Sequence, residues 1–179
     1  MTLLILSDVL FFSILVKIGY DTLHKIHLIK MSQNKYMEKA LMLANKAKEI
    51  NEIPVGCVIV DGEGKIVASS YNTNIKDLDP TAHAEINAIR EACIRLDSER
   101  LVGCDLYVTL EPCIMCASVI SRAKIKRLYY GADDLIYGSV NGNINFFQSK
   151  NCNHIPEIYD GISKTECESL INNFFKDKR

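Results

Sequence analysis

The sequence lacks an excess of charge of either sign. Its 179 residues include 21 lysines and arginines against 22 aspartates and glutamates, which gives a net charge of −1. Proteins that hold nucleic acid mainly by non-specific attraction to phosphate are strongly basic, so this class is excluded. Any contact with nucleic acid must therefore be local.

A disulfide framework is lacking as well. The cysteines are odd in number and irregularly spaced, at positions 57, 93, 104, 113, 116, 152 and 167. Disulfide-rich secreted domains are short and have even numbers of cysteines at regular spacings. The pattern favours a reducing compartment, and we expect a cytoplasmic protein with no membrane association.

No segment is typical of a signal peptide or a membrane span. Residues 1–20 are apolar but are interrupted by Ser7, Asp8 and Ser13, and the run is short for a bilayer. A basic start and a small-residue cleavage site are missing. Because a globular pattern begins at Met31, we expect residues 1–30 to be an extension outside the fold and residues 31–179 to form one domain. Residues 1–30 would result from a translation start assigned too far upstream or, alternatively, would form a weak membrane anchor.

What the chain does contain is an alternation of helix and strand patterns. Apolar residues at helical spacing predict helices over residues 34–50, 81–96, 112–121 and 163–176. Short apolar runs predict strands at 53–60, 66–72, 104–110 and 125–132. Asp79 or Thr81 is expected to cap the second helix with Pro80 in its first turn, and Pro112 to open the third. This alternation predicts an α/β sheet with helices on its faces.

Two short motifs contain candidate metal ligands. PTAHAEINAIREA, residues 80–92, provides His83, and PCIMC, residues 112–116, provides Cys113 and Cys116. Zinc prefers nitrogen and thiolate ligands in a tetrahedral arrangement, and a catalytic zinc keeps one position for water. A lone histidine is more often a core residue, and a single CxxC can be redox-active or half of a structural site. Together, near two helix N-termini that favour thiolates, the motifs predict one zinc site.

Glu85 has a role that needs no bond to the metal. A carboxylate beside an activated water can take its proton and pass it to a substrate nitrogen. The combination of H-x-E with P-C-x-x-C is the signature of zinc-dependent nucleobase deaminases. The sequence therefore predicts a hydrolytic deaminase.

From about Lys35 to the C terminus, the chain resembles the bacterial tRNA-specific adenosine deaminases. The similar stretches are EIPVGCVIV, YN at 71–72, DPTAHAEINAIR, LYVTLEPCIMCASVISRAKIKRLYYGADD and the closing FF. The resemblance implies a three-layer α/β/α cytidine-deaminase-like fold with a central mixed five-stranded sheet, and one Zn²⁺ per subunit. It also implies a homodimer that converts the wobble adenosine of a tRNA anticodon to inosine.

The resemblance also implies roles for single residues. His83, Cys113 and Cys116 would bind zinc, and Glu85 would transfer protons. Asn72 would hydrogen-bond the flipped adenosine. The path of the neighbouring anticodon nucleotides would be lined by Asp134, Asn153, Phe174 and Phe175.

Several of these residues have simpler interpretations. Asn72 alone is equally typical of a turn. Phe174 and Phe175 fit the core of the last helix, although adjacent helical positions cannot both face inward. Asp133 departs from the family pattern, in which a basic residue is common, so its negative charge is expected to weaken RNA binding.

The metal motifs leave two other functions open. A deaminase of free guanine, cytosine, cytidine or a nucleotide would use the same zinc chemistry. A non-catalytic zinc-binding partner subunit would need the ligands but not Glu85.

Overall fold

Five strands form one mixed sheet in the computed structural model, which describes residues 35–142, 144–176 and 178. In spatial order the sheet runs β2-β1-β3-β4-β5, with β1 antiparallel to both neighbours and β3, β4 and β5 parallel. The five-stranded mixed sheet implied by the resemblance is confirmed. The strands are β1 (Gly56–Val60), β2 (Ile66–Tyr71), β3 (Asp105–Leu110), β4 (Arg127–Ala132) and β5 (Glu157–Tyr159).

Helices cover both faces of this sheet. Strand residues alternate in direction, so Cys57 and Ile59 of β1 face one apolar cluster, and Val58 and Val60 face the other. The first cluster includes the inner sides of α3 and α4, and the second includes those of α1 and α5. The three-layer α/β/α arrangement is therefore confirmed. The helices are α1 (including residues 35–49), α2 (Asn74–Asp77), α3 (Ala84–Leu96), α4 (Ile114–Arg122) and α5 (Lys164–Lys176), with a 3₁₀ turn at Phe146–Gln148.

Both helices next to the metal motifs begin later than the sequence predicts. The N-cap of α3 is His83, so the prediction that Asp79 or Thr81 caps this helix is wrong. Asp79 instead accepts hydrogen bonds from the N–H and the hydroxyl of Thr81, both at 2.7 Å. The carbonyl of Ala82 accepts the N–H of Thr73 at 3.0 Å, which attaches this stretch to the segment after β2.

The prolines consequently lie outside the helices. Pro80 is four residues before the start of α3, and Pro112 comes directly before the N-cap of α4, which is Cys113. Neither proline occupies the first turn that the sequence pattern predicts. Each motif instead reaches its helix through an extended N-cap residue.

Three tyrosine rings stack across the α1/α5 face of the sheet, and a fourth packs against them at a tilt; together they form the tyrosine stack. Tyr107, Tyr129 and Tyr159 occupy matching positions on β3, β4 and β5. Their ring centroids are 4.4 Å and 4.8 Å apart, and Tyr36 of α1 adds a fourth ring 5.1 Å from Tyr107. Such contacts stabilise the sheet beyond simple burial of apolar area.

The described residues from Tyr36 onward form one compact unit. The predicted extension, residues 1–30, lies outside the described residues, so its exclusion from the fold stays a prediction. None of the helices that the structure describes has the length and apolar character that crossing a bilayer requires.

Candidate active site

His83 and Cys113 occupy the same position in two different helices. Each is an extended N-cap residue, His83 with φ −70° and ψ 152° before α3, and Cys113 with φ −71° and ψ 172° before α4. Cys116 lies in the first turn of α4. The two helix starts therefore bring the three predicted ligands together.

The ligand atoms are close enough to share one metal ion. The Nδ1 atom of His83 lies 3.8 Å from the Sγ atom of Cys113 and 3.5 Å from the Sγ atom of Cys116. All three atoms lie within 4.8 Å of one another. One imidazole nitrogen and two sulfurs match the donor preference of zinc, and three protein ligands are typical of a catalytic site. The donor set fits one Zn²⁺.

The asparagine at the end of β2 fixes the start of α3. The Oδ1 atom of Asn72 accepts the N–H of Ala84 at 2.8 Å, which satisfies a free donor of the first helical turn. Because His83 supplies no side-chain cap, this bond leaves its imidazole free to face the cysteines. Asn72 thus links β2 to the metal site.

The protonation of the two cysteines is coupled. A hydrogen bond with Cys116, together with His83, lowers the pKa of the Cys113 thiol to about 4. The same bond, together with burial, raises the pKa of the Cys116 thiol. The bond to Cys113 also raises the pKa of His83. The site therefore already favours a thiolate at Cys113, which is the form that binds metal.

Glu85 is buried beside this donor set. Its side chain lies in the first turn of α3 and only 3% of the residue is exposed. Burial raises the pKa of its carboxyl group to about 7. Because a group with such a pKa exchanges protons readily near neutral pH, Glu85 is suited to acid and base steps.

The donor set opens into a cavity of about 630 Å³. His83, Glu85 and Cys113 form part of its wall together with Asn72 and Asp134. Apolar side chains complete the wall, and those of Ile53, Val55, Ile75, Leu110 and Ile114 are among them. A cavity with an apolar wall and a few converging polar groups is typical of a small-molecule or nucleobase site.

Three of the predicted RNA-path residues lie away from this cavity. Asn153 is exposed and lines a separate surface groove, where its carbonyl accepts a bond of 3.1 Å from Lys124. Phe174 is buried in α5, whereas Phe175 is 45% exposed, so only one of the pair faces inward, as predicted. Within a single described chain, the structure therefore brings Asp134 to the cavity but not these three.

The negative charge of Asp133 is balanced within the chain. Its Oδ2 atom lies 2.6 Å from the Nζ atom of Lys164, at the start of α5. This ion pair reduces the repulsion that Asp133 would exert on RNA phosphates.

Sequence reasoning missed two buried glutamates in the cavity wall. Glu52 accepts the N–H groups of Ile75 and Lys76 at 2.7 Å and 2.9 Å. Glu111 accepts N–H groups from the loop after β4. Each is an isolated acidic residue next to an apolar run, in EIPVGC and TLEPC, and that contrast is the signal that could have found them.

The chain is similar to known proteins over most of its length. The family model described as the cytidine and deoxycytidylate deaminase zinc-binding region matches residues 30–132. The tRNA-specific adenosine deaminase of Agrobacterium fabrum is 48% identical over 144 residues, which cover 80% of this chain and 94% of that protein.

Two solved structures are also similar to the chain. One, from a study of A-to-I editing by tRNA:A34 deaminases at the wobble position of transfer RNA, is 48% identical with a TM-score of 0.74, covering 76% of this chain and 98% of its own. A guanine deaminase from Bacillus subtilis is 40% identical with a TM-score of 0.53, and the match covers 55% of this chain and 63% of that one.

Proposed function

The chain belongs to the tRNA-specific adenosine deaminases, a family of zinc-dependent hydrolases, and on this premise we propose that it converts the wobble adenosine of a tRNA anticodon to inosine. The balanced reaction consumes one adenosine and one water and releases one inosine and one ammonia. The observation that supports it most is the convergence of His83, Cys113 and Cys116 with a buried Glu85 on one cavity.

We assign the zinc ion to His83, Cys113 and Cys116. When bound, zinc supplies Lewis-acid activation of water and stabilises the negative charge that develops in a hydrolytic displacement. Glu85 takes one proton from the attacking water and delivers it to the ring nitrogen. It then moves a second proton, from the hydroxyl group that has been added to the base, to the departing amino group, which leaves as ammonia. Burial in the cavity keeps bulk water away from this carboxyl group.

Asn72 holds the base. Because its Oδ1 atom accepts the N–H of Ala84, the side chain is fixed and its amide nitrogen is left to donate to the adenine ring. Asn72→Ala should therefore impair turnover, and it should also loosen the start of α3. Zinc content measured beside turnover separates the two effects, because lost positioning of the base leaves the metal bound.

An RNA substrate fits this cavity better than a free base does. Ile114 and Tyr137 both line the cavity, and both are more than half exposed, so its wall reaches the surface. A base that arrives on a strand needs such an open mouth, and the bases of an anticodon loop are already unpaired. Deamination of free guanine or cytidine remains the competing activity.

The deciding assay compares three kinds of substrate. We expect inosine and ammonia from an anticodon stem-loop with adenosine at the wobble position. The same stem-loop with guanosine there, and free nucleosides, should be poor substrates. Faster turnover of free guanine or cytidine would overturn the tRNA assignment and leave the zinc chemistry standing.

A second assay tests the ligand set. Cys116→Ala removes one of three ligands and should abolish both zinc binding and turnover. Cys93→Ala, at a half-buried thiol of α3 outside the ligand set, serves as the matched control and should retain both. Stoichiometric zinc and normal activity in Cys116→Ala would refute the assignment.

We also propose a cytoplasmic homodimer. Besides the family relationship, exposed large apolar side chains such as Ile94 and Val102 support an interface between subunits. Light scattering should give twice the mass of one chain. A monomer with full activity would contradict the dimer, and recovery of the enzyme outside the cytoplasmic fraction would contradict the location.

A further inference from the structure

Glu111 is a buried carboxylate. Every hydrogen bond that the structure describes for its side chain comes from a backbone N–H group of one loop. It follows β3 directly, two residues before Cys113, and is 4% exposed. Its Oε1 atom accepts the N–H groups of Val140 and Asn141, both at 2.9 Å. Its Oε2 atom accepts the N–H of Asp134 at 3.1 Å. One side chain thus satisfies three buried or half-buried donors.

The two oxygens hold opposite ends of the same loop. We call residues 134–141 the rim loop. Oε2 is bonded to its first residue and Oε1 to its last two, so the carboxylate closes the loop on itself. Hydrogen bonds to an ionised acceptor are stronger than neutral ones, and removing the acceptor would leave the donors unsatisfied.

The rim loop is also attached to the metal-ligand segment. The N–H of Ser139 donates to the carbonyl of Pro112 at 3.0 Å, and Gly138 forms an isolated β-bridge with Cys113. A Cβ atom on Gly138 would collide with the Glu111 carboxylate and with the carbonyl of Asp134. The close approach of loop, carboxylate and ligand segment therefore requires glycine at this position.

The rim loop supplies part of the cavity mouth. Asp134 and Tyr137 both line the cavity. The Oδ1 atom of Asp134 accepts the N–H groups of Ile136 and Tyr137, both at 3.0 Å, which fixes the direction of the loop tip. Tyr137 is 70% exposed, so its ring is available to a ligand at the mouth.

We propose that Glu111 is a positioning residue that sets the rim loop against the zinc-ligand segment and thereby determines RNA binding at the cavity mouth. It takes no part in proton transfer or metal binding. This inference rests on the proposed function, because it names the part of the same site that receives the nucleotides next to the target base.

Glu111→Gln is the most direct test. The glutamine oxygen replaces one carboxylate oxygen, but its amide group is a donor and cannot accept the N–H at the other end of the loop. We expect KM for the anticodon stem-loop to rise about tenfold, which is the size expected for one lost charged hydrogen bond. We expect kcat to change by less than about twofold and zinc to stay stoichiometric.

Gly138→Ala displaces the rim loop by a second route and leaves the carboxylate unchanged. It should raise KM in the same way and keep the proposal testable if Glu111→Gln folds poorly. Asp105→Asn is the control for general destabilisation. It breaks the ion pair with Arg127, 2.7 Å long, at the opposite end of β3 and should leave KM unchanged.

Hydrogen exchange tests the inference without RNA. In Glu111→Gln the backbone amides of Asp134, Val140 and Asn141 should exchange faster than in the wild type, whereas Asp105→Asn should leave them protected.

Unchanged KM and unchanged protection in Glu111→Gln would overturn the proposal. So would a loss of zinc or a fall in kcat as large as the rise in KM, because Glu111 would then serve the metal or the chemistry. A wild type that fails to deaminate the stem-loop would instead overturn the proposed function, and the exchange data would still decide whether Glu111 holds the loop.

Discussion

Glu85 places a carboxyl group where an apolar side chain would stabilise the protein more. Burying an ionisable group costs free energy, and here the cost is expressed as the pKa raised to about 7. Such a cost without a structural benefit is typical of catalytic groups. We therefore expect the residue to contribute to activity and not to stability.

Glu85→Gln should separate these two contributions. We expect turnover of the stem-loop to fall at least about a hundredfold, because the amide cannot accept the proton of water. Zinc content should be unchanged, and the melting temperature should be equal or higher. Glu91→Gln, at a half-buried residue of the same helix that pairs with Arg95, should retain full activity. Substantial turnover by Glu85→Gln would remove Glu85 from the mechanism.

Asp79 makes the stability of the turn before His83 dependent on pH. Its hydrogen bonds with the side chain and the backbone of Thr81 lower the pKa of its carboxyl group. A carboxyl whose pKa is lower in the folded state stabilises the fold above its unfolded pKa, and this contribution is lost as the pH falls through the folded pKa. Asp79→Asn should therefore melt at a lower temperature than the wild type near neutral pH, and the difference should close below about pH 4. Thermal melts followed by circular dichroism across this range measure it, and a difference independent of pH would contradict the assignment.

The grouping of His83, Cys113 and Cys116 was predictable from the sequence because zinc restricts its ligands to a few residue types. The roles of Asn72 and Glu111 were not predictable in this way. Asn72 accepts the first N–H of a helix that starts twelve residues later, and Glu111 accepts N–H groups of residues 23 to 30 positions away. Both roles depend on contacts that form only when the sheet has assembled.

At the level of elements, α1 lies unusually close to β1. A Cβ atom on Gly56 would collide with the carbonyl of Ala40 and the amide of Ala44, both in the backbone of α1. Because backbone atoms cannot move aside as a flexible side chain does, the approach of helix and strand requires glycine at this position.

Gly56→Ala should therefore force the two elements apart. We expect the free energy of unfolding to fall by about 1–3 kcal/mol, the usual cost of overpacking a core. Gly62→Ala is the matched control, since the nearest atom to its added methyl group would be 4.0 Å away. Urea denaturation of both variants measures the difference. Equal stability of Gly56→Ala and the wild type would show that α1 can shift without cost.

The element boundaries show where sequence patterns fail. The four long helices and the four longer strands were predictable from hydrophobic periodicity, because each has one or two buried faces. The short helix α2 was not, since none of its four residues is buried. The start of α3 was not, because the side chain that accepts its first N–H is Asn72, which follows β2 and is distant in sequence. The residues of β5 were not either, since three residues are too few to display a period.

For the molecule as a whole, the three-layer fold and the family were predictable, whereas the spatial order of the strands depends on long-range pairing.

One prediction at this scale concerns the N-terminal extension. A chain that starts at Met31 should fold, bind zinc and deaminate the stem-loop at the rate of the full chain, because every contact of the cavity described above involves later residues. A loss of activity or of the cooperative thermal transition in this shorter chain would show that residues 1–30 belong to the functional unit.

The tyrosine stack gives the protein an optical property of its own. The sequence has no tryptophan and eight tyrosines, and half of these tyrosines are in the stack. The contribution of these four rings to near-ultraviolet circular dichroism therefore depends on their packing in a fixed geometry on the α1/α5 face. The zinc ligands are on the two helices of the opposite face. Loosening around the metal would leave the contribution of the tyrosine stack almost unchanged, whereas separation of the strands would abolish it, so this contribution distinguishes a local change at the site from unfolding of the sheet.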